Sequence, residues 1–168
     1  MKQVNLEKLL KIAGDEALSL EEELHNLALL VKRNFELEIF LENRMISKNE
    51  KKKFFKDIFP AASKLMKDFF DLIIEEDLEK YFVELAGAYS KLVSTKLKVN
   101  LVDAISAFPL DKNERKMIQE LVGEKVSVRV EIDPSLIGGF KLRVGDGRFL
   151  DASLSGKLKK LKEDLVNA

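Results

Sequence analysis

The 168-residue chain has no cysteine and no tryptophan, and it contains one histidine and three prolines. Without cysteine it forms no disulfide, offers no thiolate nucleophile and builds no cysteine-ligated zinc site. The single histidine, His25, excludes any site that needs several histidines, and its place at the edge of an apolar helical stripe gives it no functional role. The 29 basic residues balance the 29 acidic ones, so no overall positive field attracts nucleic acid.

Long hydrophobic runs are also missing from the sequence. No stretch reaches the roughly 18 apolar residues of a membrane-spanning helix. The beginning of the chain has neither a signal-peptide nor a transit-peptide pattern. Because 46% of the residues are hydrophobic and 35% are charged, the composition favours a folded chain over a disordered one. We therefore expect a cytoplasmic chain, or one already processed, with one or two small domains.

The first half of the sequence has the apolar period of α-helices, from Leu6 to about Lys98. Capping residues and breakers divide it into six short helices, which predicts an N-terminal six-helix bundle over residues 1–98. The predicted caps are Ser19 with Glu22, Asn34, and Ser47 with Glu50. The fifth helix, about residues 62–74, is apolar nearly all round, so it must be buried on more than one side or await a partner.

The second half, residues 99–168, has the pattern of a small α+β unit. A helix begins at Asp111 and ends at Gly123, and strict alternation predicts a strand over residues 126–132. Residues 140–144 and 148–150 flank a Gly-Asp-Gly turn, which predicts a β-hairpin. Residues 101–108 form a mixed apolar run without a clear period. A last helix is expected from about Ser155, with Leu158, Leu161 and Leu165 on one face. The predicted fold class is thus mainly α, followed by this α+β unit.

The sequence motifs give little support for an enzymatic function. A phosphate-binding loop places a helix directly after its glycines, but a strand follows Gly138 and Gly139. A sharp entry into the hairpin is therefore the favoured interpretation, and a phosphotransferase that uses these glycines is the weakest alternative. We expect no catalytic residues, no cofactor and no metal site.

Two lysine groups offer a nucleic-acid-binding alternative. The first is a run in the fourth helix, and the second lies near the C-terminus. Exposed aromatics do not alternate with either group, so solvated helix faces are favoured. The lysines of the run are Lys48, Lys51, Lys52, Lys53 and Lys56, and the neighbouring residues Phe54, Phe55, Ile58 and Phe59 are predicted to be core. In the alternative, Lys141, Arg143, Arg148 and the terminal lysines contact backbone phosphates.

Four segments carry a resemblance to a known family. Residues 130–145 and 150–158 closely resemble the C-terminal signature of the F-type ATP synthase δ subunit, whose mitochondrial relative is the oligomycin-sensitivity-conferring protein. Residues 40–52 resemble the family's segment between its third and fourth helices, and residues 106–110 resemble its link into the C-terminal unit. The signature residues are Asp133, Pro134, Ile137, Gly138, Gly139 and Gly145. The resemblance covers essentially the whole chain.

This resemblance implies a peripheral-stalk, or stator, protein without enzymatic activity. The six-helix bundle would bind the amphipathic N-terminal helix of an α subunit through its first and fifth helices. The residues expected to line that groove are Leu6, Leu10, Ala13, Phe69, Phe70 and Ile73. The C-terminal unit would bind the C-terminal region of the b subunit. The resemblance further implies a peripheral location at the cytoplasmic face of the bacterial cell membrane, without nucleic acid or small-molecule substrate.

Overall fold

The computed structural model describes residues 5–123, 125–145, 147–153 and 156. Over these residues the chain is mainly helical with a small four-stranded sheet, which confirms the predicted fold class at that level. The chain divides into two compact units, Met1–Lys96 and Leu97–Ala168. The predicted C-terminal helix with Leu158, Leu161 and Leu165 lies outside the described residues.

The first unit consists of helices joined by short links. The helices are α1 (Leu6–Ala13), α2 (Ala17–Arg33), α3 (Phe35–Glu42), α4 (Lys48–Ile58), α5 (Lys64–Glu75) and α6 (Phe82–Leu97), with 3-10 turns at Gly14–Glu16 and Glu79–Tyr81. The predicted caps at Asn34 and Ser47 are confirmed, because each side chain accepts a backbone N–H of the first turn. The predicted cap at Ser19 is wrong. The 3-10 turn carries the backbone directly into α2 at Ala17, so the helix has already begun.

Aromatic rings from three helices stabilise the core of the first unit. The Phe55 ring of α4 stacks on the Phe70 ring of α5, with centroids 3.7 Å apart. Phe82 of α6 meets Phe70 edge-on at 6.1 Å. All three side chains are buried together with apolar residues of α2. Each fully buried aromatic or aliphatic side chain contributes roughly 1.5–3 kcal/mol, so this cluster supplies much of the unit's stability.

The second unit is a sheet with a crossover helix. Its elements are β1 (Asn100–Ser106), α7 (Lys112–Val122), β2 (Val126–Ile132), β3 (Phe140–Val144) and β4 (Phe149–Asp151). The strand order is β2-β1-β3-β4, with β1 parallel to β2 and antiparallel to β3. The predicted hairpin is confirmed as β3 and β4, and the predicted helix is confirmed with an Asp111 capping box and an exit at Gly123.

Strand β1 occupies the run to which the sequence assigned no period. It is an inner strand, hydrogen-bonded on both edges. Val102 and Ala104 are fully buried in one cluster with Ile118 of α7, whereas Leu101 and Ile105 alternate with them and are half-buried. Since apolar residues stand on both faces of an inner strand, the hydrophobic alternation of a half-exposed strand is absent.

Candidate functional site

An apolar groove of about 300 Å³ runs between α1 and α5. Ile12 of α1 is 62% exposed, and Leu72 of α5 is also exposed, although both side chains are apolar. Phe69 lies beneath them and is almost completely buried. The full lining consists of Asn5, Lys8, Leu9, Ile12, Leu65, Asp68, Phe69 and Leu72. The groove thus combines an apolar floor and walls with one basic and one acidic side chain.

Local capping interactions fix the beginnings of the two groove helices. The Asn5 side chain accepts the backbone N–H of Lys8 at 2.9 Å, which starts α1. Ser63 accepts the N–H of Met66 at 3.1 Å, and its hydroxyl donates to Glu23 of α2 at 2.7 Å. Since a cap supplies a partner for a backbone N–H that the helix leaves unpaired, both helix starts are defined by side chains.

The structure gives the groove a different lining from the one expected. Ala13, Phe70 and Ile73 are buried in the core of the first unit, so they lie below the surface and do not line the groove. Leu6 and Leu10 are half-buried and pack against the same core. Of the six residues expected to form the groove, only Phe69 is among its lining residues.

The expected residues and the lining residues lie on neighbouring stripes of the two helices. On α1, Leu6, Leu10 and Ala13 follow the 3.6-residue period of the inward face, and the exposed Ile12 lies outside it. Leu9 lies at the boundary, because it lines the groove and also packs half-buried against the core. On α5, Leu65 and Leu72 lie seven residues apart and form the outward stripe. The width of the apolar arc on α5 was the signal for this second stripe.

Lysines of α4 form ion pairs with carboxylates of α5 and of the residues just after it. Lys48 forms an ion pair with Asp77 at 2.9 Å, and Lys56 pairs with Asp71 at 3.1 Å. Between them, Lys52 pairs with Glu75. The hydrogen bond from Lys52, and then its positive charge, lower the pKa of Glu75 below its ordinary value. We call these three lysine–carboxylate pairs the α4–α5 ladder.

Lys51 departs most from the expected solvated lysine face. Its side chain is buried, and its ammonium group donates to Glu79 at 2.7 Å and to the Leu41 carbonyl at 2.6 Å. A buried ammonium without partners would be strongly unfavourable, so this pair fixes α4 against both α3 and the turn before α6. With the ladder, it means that carboxylates neutralise most of the lysine run, which argues against phosphate binding there.

A second apolar groove, of about 370 Å³, lies among α2, α3 and α4. It includes Leu30, Phe40, Phe54 and Ile58, and the rings of Phe40 and Phe54 are 4.3 Å apart. Ile58 was predicted to be core, but it is 55% exposed at the end of α4. This groove provides a surface of similar chemistry against which the α1–α5 groove can be tested.

Glu21 and Tyr89 are buried polar side chains of the first unit. Glu21 is fully buried and accepts the Ser90 hydroxyl at 2.6 Å. Burial, and then the negative charge of Glu21, raise the pKa of Tyr89 to about 12, so the phenol stays protonated at neutral pH. Within the residues described above, no cluster of His, Asp and Glu side chains is arranged to hold a metal ion.

The signature residues of the second unit shape the loop between β2 and β3. The Asp133 N–H donates to the Ser106 carbonyl at 2.8 Å, and the Asp133 carboxylate accepts the Ser135 N–H at 2.9 Å. Gly139 has a φ of +74°, and a Cβ there would lie 2.4 Å from the Ala152 carbonyl oxygen. Gly139 therefore allows the close approach and sharp entry into the hairpin that the sequence predicted. Pro134, Ile137 and Gly145 are exposed, and Gly138 is half-buried.

Of the described basic residues proposed for nucleic-acid contact, Lys141 and Arg143 lie opposite acidic residues, and Arg148 is exposed between β3 and β4. Arg143 is the cross-strand neighbour of Asp103, which also pairs with Arg129. Lys141 lies opposite Asp151 of β4. The terminal lysines lie outside the described residues. Strands on which charges of both signs are interleaved do not make the basic patch that phosphate binding needs, so this alternative is not supported.

Comparison with known proteins gives one consistent result. The sequence matches the family described as ATP synthase delta (OSCP) subunit over residues 8–165. ATP synthase subunit delta of Desulfitobacterium hafniense is 30% identical over 89% of this chain and 86% of its own. The same subunit of a Geobacillus species is 31% identical, over 94% and 92%. A chain in the cryo-EM structure of the Toxoplasma gondii mitochondrial ATP synthase hexamer has a similar fold, with a TM-score of 0.51, 18% identity and 98% coverage of both chains.

Helix length and hydropathy also bear on membrane insertion. Among the helices that the structure describes, none is long and apolar enough to cross a bilayer.

Proposed function

Because this chain belongs to the ATP synthase delta (OSCP) subunit family, we propose that two of its surfaces make that subunit's contacts, one with the α subunit and one with the b subunit. The protein is a peripheral-stalk subunit of the F-type ATP synthase, and its role is structural and not catalytic. The stalk holds the catalytic head against the torque of the rotating shaft, so that rotation drives ATP synthesis and does not turn the head. Such a joint needs slowly dissociating contacts at both ends.

The first contact we propose is with the α subunit. Helices α1 to α6 form the six-helix bundle of residues 1–98, and the α1–α5 groove takes the amphipathic N-terminal helix of an α subunit. The observation that carries this proposal is the exposure of Ile12 and Leu72 above the buried ring of Phe69. A helix laid in such a groove buries its own apolar stripe against these side chains.

The second contact we propose is with the b subunit, through the α+β unit of residues 99–168. We also propose that the chain, through these two contacts, lies at the cytoplasmic face of a bacterial cell membrane. The chain reaches it through the complex, as a peripheral subunit. The bacterial origin of the relatives named above supports this location.

Calorimetric titration with a peptide of the same organism's α-subunit N-terminus tests the groove. We expect one-to-one binding with a negative heat-capacity change, because apolar surface is buried. Ile12→Glu should weaken binding by more than roughly tenfold, since it places a charge in the contact. Ile58→Glu is the matched control, because Ile58 is similarly exposed (55% against 62%) but borders the second groove.

The two variants give three informative outcomes. Loss of binding in Ile12→Glu alone supports the α1–α5 groove. Loss in Ile58→Glu alone moves the site to the second groove. If the wild-type protein is folded and does not bind the peptide, the proposed contact with the α subunit fails.

A further inference from the structure

The two helices of the α1–α5 groove line it with the same spacing. The lining residues of α1 and its cap are Asn5, Lys8, Leu9 and Ile12, and those of α5 are Leu65, Asp68, Phe69 and Leu72. Each set follows i, i+3, i+4 and i+7, which is the spacing of one helix face. In both sets the second residue is charged and the last two are apolar. The groove therefore has a lysine, Lys8, on one wall and a carboxylate, Asp68, on the other.

The charges of Lys8 and Asp68 are available to a ligand. Both residues are exposed, and neither side chain has an ion-pair partner among the described residues. Carboxylates close to them on the same helices are already paired. Glu7 of α1 forms an ion pair with Lys96 of α6 at 3.4 Å, and Asp71 of α5 belongs to the α4–α5 ladder. The two walls thus keep one uncompensated charge each, and the charges have opposite signs.

An amphipathic helix can lie in an apolar groove in two opposite directions. Turning the helix by half a circle about the normal to the groove floor keeps its apolar stripe on Phe69, but exchanges the flanks that face α1 and α5. Apolar contact alone therefore distinguishes the two directions poorly. Opposite charges on the walls do distinguish them, because an acidic flank is attracted to Lys8 and a basic flank to Asp68. In the reversed helix, like charges meet at both walls.

We propose that Lys8 and Asp68 fix the direction of the helix that binds in the α1–α5 groove. This inference rests on the proposed function, under which that helix is the N-terminal helix of an α subunit. The partner that fits has carboxylates along one flank of its apolar stripe and Lys or Arg along the other. With the direction fixed, the α-subunit chain always leaves the groove at the same end, which gives a torque-bearing joint a single geometry.

The first measurement is calorimetric titration of the full chain with the α-subunit N-terminal peptide of the same organism. Lys8→Glu and Asp68→Lys should each weaken binding by about three- to tenfold, because each turns an attraction at one wall into a repulsion. Lys8→Glu keeps the Asn5 cap, since that hydrogen bond uses the backbone N–H of residue 8. Lys11→Glu is the matched control, because Lys11 is an exposed, unpaired lysine of α1 outside the groove lining.

The second measurement reads the direction itself. A nitroxide spin label at the N-terminus of the peptide broadens the NMR signals of nearby amides in the isotopically labelled chain. Asn5 and Ile12 mark the two ends of the α1 wall, about 10 Å apart at 1.5 Å per residue. In the wild-type protein we expect strong broadening at the end reached when the acidic flank of the peptide faces α1. In the double variant Lys8→Glu, Asp68→Lys the strong broadening should move to the other end.

The outcomes separate this inference from the proposed function. If the wild-type protein binds the peptide, but Lys8→Glu and Asp68→Lys bind it as well as Lys11→Glu does, the wall charges do not set the direction, although the groove contact remains. Equal broadening at both ends, or an unchanged pattern in the double variant, overturns the inference in the same way. If the folded wild-type protein does not bind the peptide, the proposed contact with the α subunit and this inference both fail.

Discussion

Both units of the chain expose apolar side chains, but the shapes of the two exposed surfaces differ. In the helical unit, Ile12 and Leu72 border a concave groove with a buried floor. In the sheet unit, Phe108 and Ile137 project from loops at a strand end. A groove surrounds a whole face of its ligand, whereas a projecting patch inserts side chains into a partner. The two surfaces therefore differ in the shape of partner that each would fit.

The units also differ in how their surfaces are supported. The α4–α5 ladder holds α5 against α4 through charged side chains, and the buried Lys51–Glu79 pair holds α4 against the turn before α6. In the sheet unit, backbone hydrogen bonds and a glycine hold the loop that carries Ile137. We expect the first support to depend on charge and pH, and the second to depend on backbone geometry.

Gly139→Ala should have the largest effect, and it should be confined to the sheet unit. The new Cβ would lie 2.4 Å from the Ala152 carbonyl oxygen, at a φ of +74°. We expect a loss above about 4 kcal/mol, seen as loss of amide-exchange protection in residues 97–153 while binding of the α-subunit peptide persists. Gly147→Ala is the control, because its φ is +90° but no atom crowds the new Cβ, so it should cost about 1–2 kcal/mol.

Phe70→Ala and Leu72→Ala separate the two faces of α5. Phe70 is buried and stacked on Phe55, so its removal should destabilise the protein by about 3–5 kcal/mol in urea unfolding. Leu72 is exposed, so Leu72→Ala should change stability by less than about 1 kcal/mol and weaken α-peptide binding instead. Equal effects of the two substitutions on stability would show that the outward face of α5 is not a separate surface.

Lys51→Met should cost about 3–5 kcal/mol, because it leaves the buried Glu79 carboxylate without its ammonium partner. Lys52→Met removes a pair whose carboxylate is more than half exposed and screened by solvent, so it should destabilise the protein far less. Thermal unfolding of both variants measures the difference. Similar losses would contradict the separation of the buried pair from the ladder.

The smallest expected effect is on how the free energy of unfolding decreases as the pH falls below neutral. Lys52 lowers the pKa of Glu75 in the folded protein, so the unfolded chain takes up the proton first as pH falls. The stabilisation is present at neutral pH and is lost below about pH 4.3, the ordinary value for Glu, as pH falls through the lower folded-state pKa. In urea unfolding at several pH values, the free energy of unfolding of Glu75→Gln should decrease slightly less steeply at acid pH than that of the wild-type protein. The same decrease in both proteins would mean that solvent screens the pair.

The sequence predicted most of the helices and the hairpin because their signals are local. Asn34, Ser47 and Asp111 are followed by the helices they cap, and the alternation of residues 126–132 gives β2. The inner strand β1 was not predicted, since its apolar residues on both faces remove the alternation. The start of α2 was misplaced because a 3-10 turn replaces the cap.

The groove was only partly predictable for a related reason. Periodicity places residues on faces of α1 and α5, but it does not say which apolar stripe the rest of the chain covers. Phe70 and Ile73 are buried in the core, whereas Ile12 and Leu72 are exposed. Lys51 shows the same limit, since its burial depends on Glu79, which is distant in sequence. Tertiary neighbours decided each of these positions.

The most direct test of the contact with the α subunit is an NMR titration of the isotopically labelled chain with the α-subunit N-terminal peptide. We predict that the largest amide shifts occur in α1 and α5, at Leu9, Ile12 and Leu72. Shifts confined to the second groove around Leu30 and Ile58, or to residues 97–153, would contradict the proposed groove.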